Sequence, residues 1–391
     1  MHVHLGQALG RPVKIPAART LTLPAVLEHC RRRKGLGMVG IVDAATSGGL
    51  EELRRLLRGG ELRALEGGGF RYEEAVTLIA GAEVETADEG CRSHWLGFFG
   101  RLQALEGFAA RLWRVVSNPQ FSTPRAAWRA RDFVEAVTET GGLALPAHAF
   151  TPHRGVYGSC ADRLAALLPP PALARVAAIE LGLSADSEMA DHLSELRRLS
   201  FLSNSDAHSL DKIAREHNLF ELGEPSFDEL ARALRAEGGR RVAANFGLDP
   251  RLGKYHRTAC NRCGEVAAAP PPVRRCPGCG SADVTKGVRD RLAEIADASP
   301  GPSGRAPYVH QLPLEYLPGI GRKTRERLYG AFGSELAILH QAPAEELRRA
   351  VGGKVAEVII LARQGRLAVI PGGGGVYGRV EYALSTGHRI D

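Results

Sequence analysis

From residue 1 to about 245 the chain alternates short apolar runs with amphipathic stretches. The runs are MVGIVDA (38–44), VTLIAGAEVE (76–85), SHWLGFF (93–99), LALPAHAF (143–150), AIELGLS (178–184) and FLSNSDAH (201–208). Between several of them, LEELRRLLRGG and AAWRARDFVEAVTETGG carry helical periodicity, and the glycine pair ending the second serves as a C-cap. Strands alternating with helices predict a parallel α/β sheet or barrel. MHVH at the start predicts one further, very short strand, unless the native start lies upstream. In a strand, residues i and i+2 share a face, so His2 and His4 would aim at one point.

The pattern changes after residue 245. A Pro/Ala tract, AAAPPPVRR (267–275), interrupts a cysteine cluster, and ASPGPSGRAP (298–307) has linker composition. A helical segment follows at 312–365, then GGGG at 372–375, expected as a flexible turn because no GKS/T phosphate loop follows it. No internal repeat of fixed period is present. A chain of 391 residues fits two or three domains. The expected boundaries are 1–245, 246–305 and 306–391.

Composition narrows the class. Apolar residues make up 44%, which excludes a disordered chain. The balance of 51 basic against 44 acidic residues, +7, suits a polyanionic partner without demanding one. No leader-like segment precedes the first motif, and no run of about 18 uncharged apolar residues occurs, so a cytoplasmic protein is expected. Of seven cysteines, four cluster; Cys30, Cys91 and Cys160 are scattered and expected as free thiols in a reducing compartment.

The apolar runs carry the chemistry. MHVH, IVD, AGAEVE, SHWL, PAHAF and NSDAH each place His, Asp or Glu in or just after a run. An α/β barrel builds its site at the C-terminal ends of strands, from several separate elements. Any one of these histidines alone reads more simply as a satisfied core residue. Together, His2, His4, Asp43, Glu83, His94, His148, Asp206 and His208 exceed one ion's coordination sphere. They predict two or three divalent ions (Zn, Mn or Mg) with a bridging carboxylate.

Downstream, Cys260, Cys263, Cys276 and Cys279 stand as C-x2-C, twelve residues, C-x2-C. Four thiolates at knuckle spacing match a structural zinc with no open position. A glycine after each second cysteine relieves the tight turn. Arg274 and Arg275 face either a phosphate backbone or solvent. LEYLPGIGRKTRERLYGAFGS (314–334) resembles a helix-hairpin-helix element around Pro318-Gly319-Ile320-Gly321. Gly319 and Gly321 allow close backbone approach, and N–H groups opening the next helix point at an anion. Arg322, Lys323 and Arg325 add charge there. Such contacts grip phosphate without reading bases. The alternative is a plain αα-hairpin.

HxH near the start, Gly-x-Glu, an isolated His and SDAH resemble the PHP (polymerase and histidinol phosphatase) superfamily. That likeness implies a distorted (β/α)7 barrel holding up to three metals for phosphoester hydrolysis. The fold class expected is therefore α/β: a PHP-type barrel, a small four-cysteine zinc-binding domain and an all-α helix-hairpin-helix domain. The chain departs from the superfamily at Asp43-Ala44-Ala45, where Asp-His is usual. Along nearly the whole chain it resembles endonuclease Q, in GRPVKIPAARTLTL, PAHAFTPHRGVYG, IELGLSADSEMAD, NSDAHSLDKIAREHN and GLDPRLGKYHRTAC. This family nicks DNA 5′ to deaminated bases (uracil, hypoxanthine, xanthine) and abasic sites, leaving a 3′-hydroxyl and a 5′-phosphate. Metal-ion logic makes Asp206, with His148, the expected catalytic pair, since a carboxylate there can ligate metal and orient the attacking hydroxide. Telling a deaminated base from a normal one calls for extrusion of the nucleotide. Arg11, Lys14 and Arg19 are candidate phosphate contacts near the site. His153, Tyr157 and Glu180 are either site neighbours or core and surface residues. The alternatives are a PHP-type small-molecule phosphatase and a non-catalytic nucleic-acid-binding module. DNA is the expected partner, and a monomer the expected state.

Overall fold

The computed structural model describes residues 1–299 and 304–382. Positions 300–303 of the expected linker, and 383–391 of the C-terminal tail, lie outside the described residues. Seven segments close a ring. Val3 forms parallel bridges to Ile41 and to Ala207, joining the ring's two ends. The remaining six are β1 (Met38–Ile41), β2 (Val76–Asp88), β3 (Cys91–Phe99), β4 (Leu143–Pro146), β5 (Ala178–Glu180) and β6 (Ser200–Leu202). β1 pairs with β2 and β5 with β6 in parallel, and a parallel bridge from Ala144 to Val176 links β4 to the approach to β5.

β3 corrects the expectation of a wholly parallel ring. It runs antiparallel to both β2 and β4, with Glu85 opposite His94. Only Glu89 and Gly90 separate β2 from β3, and Gly90 turns at φ 75°. A parallel return needs about a dozen residues of crossover, so a hairpin is the one connection available. The first strand shrinks to a single bridged residue, and Gly40 shows how tightly it lies. A Cβ on Gly40 would sit 2.3 Å from the Met1 carbonyl oxygen.

Helices α1 (Leu23–His29), α2 (Ser47–Arg58), α3 (Leu102–Leu112) and α4 (Ala130–Glu139) cover the ring. α2 starts at the Thr46 cap, whose Oγ1 accepts the Gly49 amide at 3.1 Å. Its Leu50, Leu53 and Leu56 enter the core, as do Leu105 and Phe108 of α3 and Phe133 and Val137 of α4. Beyond β6, β7 (His217–Glu221) pairs antiparallel with β8 (Arg241–Gly247), and α5 (Phe227–Leu234) lies between them in sequence. β9 (Tyr308–His310) adds in parallel to β8.

In the cysteine-bearing segment, Ala259–Cys260 pairs with Val284–Thr285. The next helix, α6 (Val288–Ile295), sends Val288, Leu292 and Ile295 into the barrel's core. The C-terminal helices α7 (Arg322–Phe332), α8 (Glu335–His340), α9 (Ala344–Val351) and α10 (Gly353–Arg363) build a separate core around Leu328, Ile338, Leu347 and Ile359. GGGG lies between the paired strands Ala368–Ile370 and Arg379–Glu381.

Two of the expected free thiols are not free. Cys91, opening β3, is disulfide-bonded to Cys160, with the Cα atoms 5.2 Å apart. The two cysteines stand 69 positions apart, too far for any local pattern to mark the contact. Cys30 remains a buried thiol, and burial pushes its pKa up to about 12. The scattered cysteines thus no longer argue for a reducing compartment. Among the described residues no helix is long and apolar enough to cross a membrane.

Candidate metal centre and nucleic-acid interface

Side chains from five of the seven ring segments meet at one mouth of the barrel. Val3 bridges on both sides, so His2 and His4 flank it and turn to the same face, fully buried. His2 Nε2 and His4 Nε2 lie 3.3 Å apart. Glu83 of β2 reaches both rings, at 3.6 Å from His2 Nε2 and 3.4 Å from His4 Nε2. The same carboxylate lies 3.1 Å from His94 Nδ1 and 3.4 Å from His148 Nε2. Asp206 Oδ1 faces His2 Nε2 at 3.5 Å, and His4 Nε2 and His208 Nδ1 at 3.6 Å each. Ligand atoms thus form three overlapping groups: His2–His4–Glu83, His4–Asp206–His208 and Glu83–His94–His148.

Two of these residues hold strained backbone. His148 sits at φ 30° and Asp206 at φ 42°. A non-glycine residue in that region costs about 1–3 kcal/mol and persists where its surroundings over-determine it. Opposite His148, Gly182 also has a positive φ (76°), and a Cβ there would stand 2.9 Å from the His148 Cβ.

Behind the cluster, carboxylates fix the rings. Glu180 Oε1 lies 3.0 Å from His2 Nδ1 and accepts the His148 amide at 2.8 Å, while Oε2 accepts Asn204 Nδ2 at 2.7 Å. Glu180 is therefore a neighbour of the site, settling one open alternative. Asp43 does the same for His4, 3.2 Å from Nδ1, and also accepts the Leu5 amide at 2.6 Å. This corrects the expectation for Asp43: its oxygens face the rear of the His4 ring and join none of the three groups. Ala44, at the superfamily's usual histidine position, is buried.

The electrostatics follow from this crowding. Burial lowers the His2 pKa, but Glu180, Asp206 and Glu83 outweigh it and raise it to about 9. Burial would raise Glu83, yet Lys14 and His94 hold it well below the usual carboxylate range. Burial carries His208 down to about 4 despite Asp206. The buried His94 Nδ1 lacks a hydrogen-bond partner. Imidazole nitrogens and carboxylate oxygens packed this closely fit divalent cations.

Lys14, a candidate phosphate contact near the site, lies at the centre itself. Its ammonium donates to Glu83 Oε2 at 3.2 Å and contacts Thr123. Arg11 is exposed on a small hairpin, Gln7–Ala8 with Arg11–Pro12, and Arg19 donates to the Gly6 carbonyl at 3.1 Å. A basic rim went unnoticed in the sequence. Arg125 and Arg154 bind Glu85 at 3.0 and 2.6 Å, and Arg92 stands 3.8 Å away. His94, with Arg125 and Arg154, pulls the Glu85 pKa down to about 2. His153 packs edge-on against Tyr255, and buried Tyr157 donates to Glu195 at 2.8 Å, a core role.

The four cysteine sulfurs converge, at 3.6 Å for Cys260–Cys279 and 3.5 Å for Cys263–Cys276. A tetrahedral ion with sulfur bonds of about 2.3 Å separates its sulfurs by about 3.8 Å, so the set fits. Gly264 and Gly280 take φ 76° and 71°, the left-handed turn each knuckle requires. Arg274 pairs with Glu294 at 3.2 Å and Arg275 with the Gly280 carbonyl at 3.3 Å, so both are occupied within the chain. In the helical region Gly319 turns at φ 78° with open space around it, and Gly321 caps α7. Arg322 and Lys323 are exposed on the first turn of α7, and Arg325 pairs with Asp211 at 3.4 Å.

Comparison with known proteins follows the same layout. A family model described as PHP-associated matches residues 186–237, the stretch holding Asp206 and His208. The chain is 42% identical over 384 residues to the uncharacterised protein YqxK of Bacillus subtilis, covering 97% of this chain and 98% of that one. It superposes on the lesion-specific endonuclease PfuEndoQ from Pyrococcus furiosus with a TM-score of 0.83 and 33% identity, over 97% and 94% of the two chains. A structure of endonuclease Q with a 27-mer duplex bearing an abasic lesion gives a TM-score of 0.84 at 33% identity, over 98% and 95%. With barrel, cysteine cluster and C-terminal helices matched together, this chain belongs to the endonuclease Q family of PHP-superfamily hydrolases.

Proposed function

We propose that the protein is a metal-dependent DNA repair endonuclease that hydrolyses the phosphodiester 5′ to deaminated bases (uracil, hypoxanthine, xanthine) and abasic sites. The observation that carries this reading is the set of three ligand groups sharing His4 and Glu83, in a chain matched end to end by lesion-cutting endonucleases. We assign hydrolysis to residues 1–245, and phosphate grip to 306–391. Residues 246–305 are braced by one structural zinc on Cys260, Cys263, Cys276 and Cys279.

His2, His4, Glu83, His94, His148, Asp206 and His208 would hold two or three divalent ions. Bound there, such ions supply Lewis-acid charge to the phosphodiester and lower the pKa of the attacking water. The chain's own groups do the rest. Glu180 and Asp43 keep the Nδ1 sides of His2 and His4 engaged, so that both Nε2 atoms face the centre. Asp206 is 31% exposed at its side chain against 2% for Glu83, so it is the carboxylate open to substrate and placed to orient the attacking water. Arg92, Arg125 and Arg154 offer cationic edges beside His94, where a phosphate would lie. Gly319, Gly321, Arg322 and Lys323 hold the duplex by its backbone, and the damaged nucleotide leaves the stack before cleavage. The protein acts as a monomer on chromosomal DNA in the cytoplasm.

The test is an end-labelled duplex carrying one deoxyuridine, incubated with Mg2+ or Mn2+ and with a chelator control. A metal-dependent nick beside the uracil is expected, and folded, metal-loaded protein that leaves the duplex intact refutes the proposal. Phosphate release from histidinol phosphate or nucleotides would point to a small-molecule phosphatase in its place. Asp206→Asn is expected to abolish nicking, by at least about a thousandfold, with duplex affinity within about threefold of the parent.

A further inference from the structure

The loop carrying Asp206 and His208 is gripped from the far side by the C-terminal helices. Arg215, 3% exposed, donates from Nε to the Ser205 carbonyl at 2.7 Å and from Nη2 to the Asp206 carbonyl at 3.1 Å. These bonds pin the left-handed turn at Asp206. Arg215 is held in turn: Gln311 donates from Nε2 to the carbonyls of Ala214 and Arg215 at 3.0 and 3.1 Å, and His340 of α8 bonds Gln311 Oε1 at 3.0 Å.

A second connection runs through Lys34, at the end of the turn that follows α1. Its side chain is 2% exposed, and its ammonium donates to the Asp211 carbonyl at 2.6 Å and to the Glu335 carboxylate of α8. Glu335 also accepts the Leu314 amide at 3.0 Å. Arg325, one turn from Arg322 and Lys323 on α7, meets the Asp211 carboxylate at 3.4 Å. Asp211 is three residues past His208. The loop is thus fixed at Ser205, Asp206 and Asp211 by groups that themselves lean on the C-terminal helices.

A buried ammonium paired with a carboxylate is a strong constraint, because separating the two leaves an uncompensated buried charge. We propose that Lys34, Glu335 and Gln311 are positioning residues that couple duplex engagement on the Pro318–Gly321 turn to the geometry of the Asp206 loop. DNA held by the helices then tightens divalent-ion binding at the barrel mouth, and by linkage the ions tighten DNA. The inference rests on the DNA-binding reading above but does not need cleavage to be observed.

The experiment titrates Mn2+ by its electron paramagnetic resonance signal, with and without an undamaged duplex, in the parent protein and in the double variant Lys34→Met/Glu335→Gln. Removing both charges together avoids an orphaned one. In the parent, duplex should lower the Mn2+ dissociation constant about fivefold or more. In the variant that shift should vanish, with duplex affinity in the absence of Mn2+ unchanged within about twofold. Hydrolysis of bis-p-nitrophenyl phosphate, which needs no duplex grip, should also stay within about twofold. An undiminished shift in the variant overturns the proposal, as does no shift in the parent or a loss of bis-p-nitrophenyl phosphate hydrolysis in the variant. Gln311→Leu carries the same test without altering charge if the double variant fails to melt cooperatively. Parent protein that couples Mn2+ to duplex but never nicks uracil DNA refutes the proposed function and leaves the coupling standing.

Discussion

Glu216 offers a perturbation whose size follows from its surroundings. It lies beside Arg215 just before β7, 2% exposed, with Oε1 accepting the Leu248 amide at 3.0 Å and Oε2 without a partner. Burial, only partly offset by the Leu248 amide and Arg215, pushes its pKa from 4.5 up to about 8. The native state therefore holds this proton more tightly than the unfolded chain. The associated stability is fully present below pH 4.5 and falls as the pH rises toward 8. It is flat above that, where the total loss reaches about 5 kcal/mol. Glu216→Gln removes the ionisation and keeps the oxygen that accepts Leu248. Its amide NH2 is left as unpartnered as the acid's O–H, so at pH 5 the two proteins should differ by about 1 kcal/mol or less. At pH 9 the variant should be the more stable by several kcal/mol. Urea melts of parent and variant at pH 5, 7 and 9 measure the difference, which cancels every other titrating group. A difference that does not change with pH refutes the buried-acid argument.

Glu180→Gln weakens the hold on His2 and on the His148 amide, and should cost about 10–100-fold in divalent-ion affinity by isothermal titration, with secondary structure unchanged. No change in affinity would mean that Glu180 does not support the cluster. Cys276→Ser should lose one zinc equivalent by elemental analysis and lower the melting temperature, leaving the remaining metal content unaltered. Exchanging Arg322 and Lys323 together for Gln should weaken duplex binding uniformly across sequences. The slope of log affinity against log salt should fall by about 2, and an unchanged slope places the phosphate contacts elsewhere.

How much of this could be read beforehand depends on the range of the interaction. Period-two and helical patterns are local, so β1, β2, β4, α2 and α4 fall where the apolar runs put them. The cysteine knuckles are local as well, and their sulfurs converge. The orientation of β3 was also implicit, since the seven residues between the apolar runs 76–85 and 93–99 cannot support a parallel crossover. The ligand cluster was legible because the barrel brings strand ends together, so that residues near those ends meet whatever their separation in sequence. That rule does not say which side of a ring a carboxylate occupies. Asp43 and Glu83 both follow apolar runs, yet one backs His4 Nδ1 and the other faces Nε2. A rotation of one imidazole would exchange their roles, and no residue pattern encodes it. Lys14 and the Cys91–Cys160 pair escaped for the same reason: loop closure decided their neighbours. Glu180 shows how a supporting carboxylate can be found in principle. A fully buried acid at the end of a strand needs a cationic or hydrogen-bonding partner, and a buried imidazole is the partner at hand.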